Sequence, residues 1–378
     1  MLSPLPAASK SSPAILIAAV SGRSLAAAAR RAGYRPLVAD LFGDSDTVAL
    51  ADRTARLPGS IRDGIDGEKT AEVLTDLARD EEPAALVYGS GFERRPDIVD
   101  TLAGLFRVAG NSAATIRAVK DPVGLSRLCW DLGIRHPAIR FSAPEREGWL
   151  VKLGGGAGGS HVRPASVPVL ENGYYYQKLV PGSSISALFL AQAGTARIVG
   201  FSRQWAAPSQ SSPFRYGGAV RLMRFDREKK ALIAAWLDKL TKRTGLVGLC
   251  SADFIDGREG LHLIEINPRP GATLDIFDSE EAPLLTAHLN AVRGETITVP
   301  TYRGAAASAI AYAPYAISRF PQVEWPSMTA DHQNPGSVLN ADDPVCTVLA
   351  QARSAAAAER AVKRRVSEMA EHWKENFQ

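Results

Sequence analysis

The sequence of 378 residues is poor in cysteine, in runs of like charge and in long apolar stretches, and each shortage excludes something. Its three cysteines, Cys129, Cys250 and Cys346, are scattered among apolar neighbours. Such a sparse, unpaired set supplies neither a disulfide framework nor a zinc site and points to a reducing compartment. No basic run is dense enough for a nucleic-acid surface, and the formal net charge of +4 is modest for this length, although it suits an anionic ligand such as a nucleotide. No apolar run approaches bilayer length. The opening Met1-Leu2-Ser3-Pro4-Leu5-Pro6 lacks the basic head and apolar stretch of a signal peptide. The expectation is therefore a cytoplasmic protein with no nucleic-acid and no membrane partner.

What is present is the composition of a globular chain, 46% hydrophobic and 22% charged, long enough for two or three packed domains. Short apolar strands alternate with helices from residue 14 to about 112: Ala14–Val20, a helix near 24–33, Arg35–Asp40 and Ala84–Tyr88. That alternation predicts a small doubly wound α/β layer. Gly89-Ser90-Gly91-Phe92-Glu93 at the end of the third strand lacks the third glycine of a dinucleotide fingerprint, which argues against nicotinamide binding and leaves Glu93 as a substrate-site candidate. Asp121 and Pro122 predict a helix start, with Gly133 at its end. Strands are expected at 185–205 and 216–224, a helix at 226–244, and a closing helix from Ser354 to Trp373.

The richest segment is Leu261-His262-Leu263-Ile264-Glu265-Ile266-Asn267-Pro268-Arg269-Pro270. Strand alternation puts Glu265, Asn267 and Arg269 on one face and sends Ile264 and Ile266 into a core. Two oxygen donors and a fixed cation on one face suit Mg²⁺ with polyphosphate, because this hard ion takes carboxylate and amide oxygens and keeps phosphate as co-ligand. The strand before it, Leu249–Ile255, joined by the turn Asp256–Gly260, offers Asp253 as a third oxygen donor. The plainer alternative is an amphipathic hairpin with a polar outer face.

Lys152-Leu153-Gly154-Gly155-Gly156-Ala157-Gly158-Gly159-Ser160 joins two expected strands through five glycines. A loop of this kind brings backbone N–H groups close to phosphate oxygens, though a glycine-rich hairpin without a ligand has the same composition. It is not a Walker A loop, since no Gly-Lys-Ser/Thr follows. Arg203, in Phe201-Ser202-Arg203-Gln204-Trp205, is either a solvated strand arginine or a second substrate-site candidate.

An acidic residue on one strand followed by Glu-Ile-Asn-Pro-Arg on the next resembles the metal-binding end of the ATP-grasp superfamily. Lys120, then Lys152 with its glycine loop, then Gln177-Lys178-Leu179-Val180, extend the resemblance in that family's chain order. It implies a doubly wound preATP-grasp domain over 14–112, a small lobe over 113–182, a large lobe with the metal site over 183–295, and C-terminal strands and a helix over 296–378, behind a disordered 1–13. It further implies that Gly155, Gly156, Ala157, Gly158 and Gly159 fold over the triphosphate and that Lys120 and Lys152 contact it. Gln177–Val180 becomes the hinge, where the Lys178 carbonyl and the Val180 N–H read adenine. Pro181-Gly182-Ser183-Ser184 offers only hydroxyls to the ribose, so Ser184 stands where many relatives have a carboxylate.

The implied cofactors are ATP and Mg²⁺, with Mn²⁺ as its substitute, held by Asp253, Glu265 and Asn267. Arg269 and Lys152 become the catalytic candidates of an ADP-forming ligase that joins a small-molecule carboxylate to an amine through an acyl phosphate, with a homodimer as the expected assembly. A carboxylase-like enzyme or a non-catalytic ATP-binding protein are the alternatives. The segments Tyr88–Glu93, Gly110-Asn111, Lys120-Asp121-Pro122 and Asp343–Val348 resemble a branch related to biotin carboxylase. That likeness implies an amide-forming step in tetrahydromethanopterin or methanofuran-type cofactor synthesis, with an amino acid such as glutamate as one partner.

Overall fold

The computed structural model describes residues 11–61, 64–165 and 173–376. Residues 1–10 of the stretch expected to lack order lie outside the described residues. Near the N-terminus, β1 (Ala14–Ala19), β2 (Arg35–Asp40), β3 (Arg53–Arg56), a two-stranded ribbon β4 (Gly59–Ser60) and β5 (Gly64–Ile65), and β6 (Leu86–Tyr88) alternate with α1 (Arg23–Arg31), α2 (Ser45–Leu50) and α3 (Gly67–Leu77). The order β3-β2-β1-β6 is parallel throughout. Every residue of β1 is buried, as a central parallel strand covered on both faces requires. The run Ala26–Ala29 in α1 is also buried, and its small side chains let the helix lie close to the sheet.

Next come α4 (Pro96–Ala103), α5 (Ala113–Lys120) and α6 (Pro122–Leu132). Asp121 caps α6 by accepting from the Gly124 N–H at 2.6 Å, and Gly133 ends it in the left-handed region, as its sequence predicts. A small antiparallel sheet follows, built from β7 (Ile139–Arg140), β8 (Trp149–Leu153), β9 (Arg163–Pro164) and β10 (Tyr174–Lys178) in the order β7-β10-β8-β9.

The chain then enters an eight-stranded antiparallel sheet: β11 (Gly182–Gln192), β12 (Thr195–Ala206), β13 (Tyr216–Arg221), β14 (Gly248–Gly257), β15 (Gly260–Asn267), β16 (Ala305–Tyr312), β17 (Thr329–Ala330) and β18 (Pro344–Ala352), ordered β15-β14-β11-β12-β13-β16-β18-β17. The stretch expected as a strand at 185–205 is a hairpin that turns at Ala193-Gly194, both at positive φ (50° and 81°). The sequence carries no Asn-Gly or Asp-Gly there, which is why the turn is hard to read. The interposed helices are α7 (Arg227–Thr244), α8 (Leu274–Phe277) and α9 (Leu284–Arg293), and α10 (Ala355–Asn376) closes the chain. Among the described residues no helix is long and apolar enough to cross a membrane.

The large sheet buries two different faces. Ile185, Phe189 and Phe254 pack with Ile233, Trp236 and Leu237 of α7, and α10 continues this cover over Val220 and Val348. On the other face, Leu188, Leu190 and Leu249 share one apolar cluster with α9 and with Ile15, Ile17 and Leu25 of the N-terminal layer. The parallel layer is thereby fixed to the large sheet through continuous packing, and the polar residues of that same face are left facing a cleft.

Candidate functional site

The polar face begins with a strand irregularity. β14 and β15 pair Ser251 with Asn267, Ala252 with Ile266 and Asp253 with Glu265, but Phe254 then pairs with Leu263, leaving Ile264 as an extra residue. Such a bulge breaks the two-residue alternation. Leu263 and Ile266 stay in the core beneath α7, while both Ile264 and Glu265 line the cleft. Strict alternation had sent Ile264 inward with Ile266; the bulge overturns that and gives the cleft an apolar wall directly beside its carboxylate.

Lys120, the last residue of α5, reaches this strand from the side. Its ammonium bonds the Glu265 carboxylate and lies 2.9 Å from Asn267 Oδ1. Asn267 Nδ2 in turn donates to Asp253 Oδ2 at 3.0 Å, and Gln204 Nε2 approaches Asp253 Oδ1 at 3.4 Å. Burial works to raise the Glu265 pKa, but Lys120 and Lys152 outweigh it and hold the carboxyl at about 2. Burial, and then the Glu265 charge, push the Asp253 carboxyl upward. One carboxylate is thus firmly ionised while its neighbour across the ladder is under electrostatic pressure, a pairing that an added cation relieves. Hard oxygens already converge on a cation here, so the donor set fits Mg²⁺.

Lys152 comes from the opposite wall. On β8 it pairs across the ladder with Tyr175, and its Nζ donates to Gln177 Oε1 at 3.2 Å. Burial first, opposed by Glu265, lowers its pKa. The glycine loop leaves β8 directly after it. Gly155 (φ 69°) lies against the Glu93 carbonyl, where an added Cβ would come within 2.9 Å, and Gly159 (φ 72°) lies against the Phe214 carbonyl, where it would come within 2.1 Å. The Gly158 carbonyl accepts from the Tyr216 N–H at 2.8 Å. Gly156 packs under the His161 ring and, with Gly155, faces the cleft; Ala157 receives a 3.3 Å contact from His161 Nδ1 on its carbonyl. The loop therefore bridges from the N-terminal layer to the β12–β13 connection.

The other sequence candidates divide. Gln177 and Lys178 end β10, the Lys178 N–H donates to Ala138 O at 2.8 Å, and Val180 lies in the crossing between the two sheets. Ser184 Oγ sits 3.3 Å from Gln204 Oε1 on the cleft face. Glu93 and Arg269 come together as a buried ion pair at 2.8 Å, so the N-terminal loop and the end of the β15 segment meet through two residues that sequence reasoning named separately. Arg203 is a correction. It pairs with Ile185 and Val220, whose side chains belong to the α7 and α10 face, and its guanidinium bonds Glu359 of α10. It lies on the far side of the sheet from Glu265, not in the cleft where it was expected.

Sequence reasoning passed over several residues of the site. His136 and His161 both line the cleft. Asn111 is buried behind it, with Nδ2 donating to Pro268 O and Val247 O at 2.9 Å each and Oδ1 accepting from the Val247 N–H. It thereby holds the peptide between Asn267 and Arg269. Only proximity in the fold reveals these roles.

Residues 131–273 match the family model of the ATP-grasp domain. Among solved structures, the chain is similar to pyruvate carboxylase from Rhizobium etli, at 15% identity and a TM-score of 0.68, spanning 93% of this chain and 39% of that one. Biotin carboxylase from Campylobacter jejuni, in a β-γ-ATP complex, aligns at 12% identity and a TM-score of 0.66 over 92% of this chain and 89% of the other. L-amino acid ligase from Bacillus licheniformis aligns at 12% and 0.68 over 94% and 97%. This is an ATP-grasp fold. No curated protein matches the chain by sequence. The ATP-grasp match ends at Thr273 and takes in the glycine loop, Gln177–Val180 and the 253–269 hairpin segment, while Glu93, Asn111 and Lys120 precede it.

Proposed function

We propose that the protein is an Mg·ATP-dependent, ADP-forming ligase that joins a carboxylate to an amine. One observation carries the reading: the Lys120 ammonium is clasped between Glu265 and Asn267, with Lys152 facing them across a cleft roofed by the glycine loop. Alternating fixed charges of this kind suit a metal-bound triphosphate and have no evident structural purpose. Glu265 and Asn267 would hold Mg²⁺, with Asp253 as the third oxygen donor and the group that orients the Asn267 amide. The metal, when bound, neutralises phosphate charge as the terminal phosphoryl group moves. Its Mn²⁺ counterpart takes the same donors.

In this reading the substrate carboxylate oxygen attacks the γ-phosphorus and the bond to ADP breaks, giving an acyl phosphate. The amine then attacks the acyl carbon, inorganic phosphate leaves, and the amine proton is lost. Lys120 and Lys152 offset the negative charge of the phosphates. Arg269, positioned by Glu93, offers its remaining guanidinium edge to the transferring group. Ser184 and the Lys178–Val180 backbone serve the nucleoside. The division at 112, 182 and 295 assigns the nucleotide cleft to the two ATP-grasp lobes and the non-nucleotide substrate to the 14–112 layer, with 296–378 packed on the body.

The sequence likeness to a biotin-carboxylase-related branch supports an amide-forming step in methanopterin- or methanofuran-type cofactor synthesis as the finer proposal. The test is ADP and phosphate release from Mg·ATP over a panel of small acids and amines, with pterin and furan acids and glutamate among them. Product formation that needs both an acid and an amine supports ligation. Nucleotide binding with no turnover across the panel would contradict it.

A further inference from the structure

At the candidate cleft and beside it lie two buried polar atoms that have no hydrogen-bond partner among the described residues. His136 Nδ1 and Gln177 Nε2 both lie out of solvent without a hydrogen-bond partner. Both relate to one group: Gln177 spends its Oε1 on the Lys152 ammonium, and the Lys152 charge acts on the His136 ring. An unsatisfied buried polar atom bears its desolvation cost without return, so a pair of them close together signals an occupant that pairs with them.

The position of His136 says which part of the occupant it meets. The β7–β10 ladder pairs Arg140 with Tyr176 and Ile139 with Gln177, and the Lys178 N–H then donates to Ala138 O at 2.8 Å. His136 stands two residues before Ala138 on this segment, and the Arg135 carbonyl just before it accepts from the Leu263 N–H of β15 at 2.8 Å. Its ring lines the cleft with Tyr175 and Ile264 as well as with Lys152 and Glu265. Burial, and then the Lys152 charge, hold the imidazole pKa at about 4, so at neutral pH the ring is uncharged. An uncharged imidazole is a poor partner for phosphate and a good one for a neutral donor.

We propose that His136 is a nucleobase-reading residue, its Nδ1 accepting a hydrogen bond from the exocyclic amine of a 6-aminopurine. The contact rests on the nucleotide reading given above and adds to it a side chain that decides which base is taken. An exocyclic amine has two N–H groups; the Lys178 carbonyl takes one and leaves the other for His136. A 6-oxopurine presents a carbonyl oxygen to the same nitrogen and forfeits the bond.

The experiment is calorimetric titration of the full chain with the magnesium complexes of ATP, of ITP and of inorganic tripolyphosphate. Wild-type protein, His136→Ala and His136→Asn are compared, with thermal unfolding of each variant as a check on folding. The expected result is a preference of wild type for ATP over ITP by about 10-fold, the worth of one such bond. In His136→Ala that preference disappears through weaker ATP binding, while ITP and tripolyphosphate bind as in wild type. His136→Asn, whose amide oxygen also accepts, keeps part of the preference. Equal losses for all three ligands, or ATP binding unchanged in His136→Ala, would overturn the assignment to His136 while leaving the nucleotide site intact. Wild type that binds none of the three would overturn the nucleotide reading itself.

Discussion

Lys120 and Lys152 are both buried, yet their surroundings differ in kind. Lys120 touches the two oxygens proposed for the metal, whereas Lys152 donates to the Gln177 amide and lies over the Tyr175 ring, 6.0 Å from its centroid. From sequence, Lys120 precedes a helix cap and is expected to reach the site across solvent, which makes Lys152 the more important of the two. In the structure Lys120 instead touches Glu265 and Asn267 of β15 directly, with no solvent to cross. We predict that Lys120→Met lowers ADP formation by at least about 100-fold, the scale of losing one preorganised charge. It should also destabilise the free protein by about 2 kcal/mol, less than a fully buried pair would, since the Glu265 side chain keeps 26% of its surface exposed. Lys152→Met should mainly weaken Mg·ATP binding. Initial rates, titration calorimetry and denaturant unfolding on both variants check this, and a harsher effect of Lys152→Met on turnover would contradict it.

At the same scale, Glu265→Gln and Asn267→Ala should each abolish Mg²⁺-dependent ADP release while leaving the melting temperature within a few degrees of wild type, because neither side chain fills the core. Full activity in both would remove the metal assignment. The carboxylate, the amide and the arginine were legible from strand alternation alone. The bulge at Ile264 was not, since an extra residue leaves no mark in the sequence, and neither was the partner of Arg269.

Asp44 offers an independent electrostatic test. It precedes α2 without capping it, is 2% exposed, and has one carboxyl oxygen without a partner among the described residues. Burial, with Asp331, Asp40 and Asp46 nearby, raises its pKa to about 8, against about 3.9 in an unfolded chain. Between those values the folded protein keeps a proton that the unfolded chain has lost, so stability falls as pH rises through that window, by up to about 1.4 kcal/mol per pH unit. The advantage of Asp44→Asn over wild type in melting temperature should therefore widen from pH 5 to pH 8. A constant difference would contradict the assignment.

At the scale of elements, the glycine loop is held on both sides through its backbone, with the His161 ring packed on Gly156. It is seated on the Glu93 carbonyl at one end and on the Phe214 carbonyl at the other. Hydrogen exchange across Gly154–Ser160 should slow when Mg·ATP binds, as expected for a cover that closes over its ligand. Gly159→Ala should weaken nucleotide binding and speed exchange in the loop without changing exchange in β14 and β15. Exchange insensitive to nucleotide would mark the loop as a structural hairpin. Glycine count and position revealed the loop from sequence, and the caps of α6 and the bounds of α7 followed from local chemistry. The Ala193-Gly194 turn and α5 escaped, the first for want of a turn signature and the second because Ser112, which caps it, lies in a stretch with no strong periodicity.

At the scale of the molecule, the site is made by three stretches distant in sequence that meet at Arg23 and at the Glu93–Arg269 pair. Arg23, at the start of α1, bonds Asp275 of α8 at 2.6 Å and Asp331 beside β17 at 3.1 Å. Asp46 accepts the Asp331 and His332 N–H groups, so the C-terminal segment is clasped to the N-terminal layer. No sequence period predicts such contacts, since they depend on how the parallel layer docks against the large sheet. The order of motifs did predict the fold, because each local signal has its place in the ATP-grasp chain order. The most direct test of the account is calorimetric titration of the wild-type chain with ATP in the presence and absence of Mg²⁺, alongside Glu265→Gln. The account predicts one nucleotide bound per chain with Mg²⁺, binding at least about 10-fold weaker without it, and a Glu265→Gln protein that no longer responds to the metal. Binding that ignores Mg²⁺ in wild type, or that keeps its full metal dependence in Glu265→Gln, would contradict the site described.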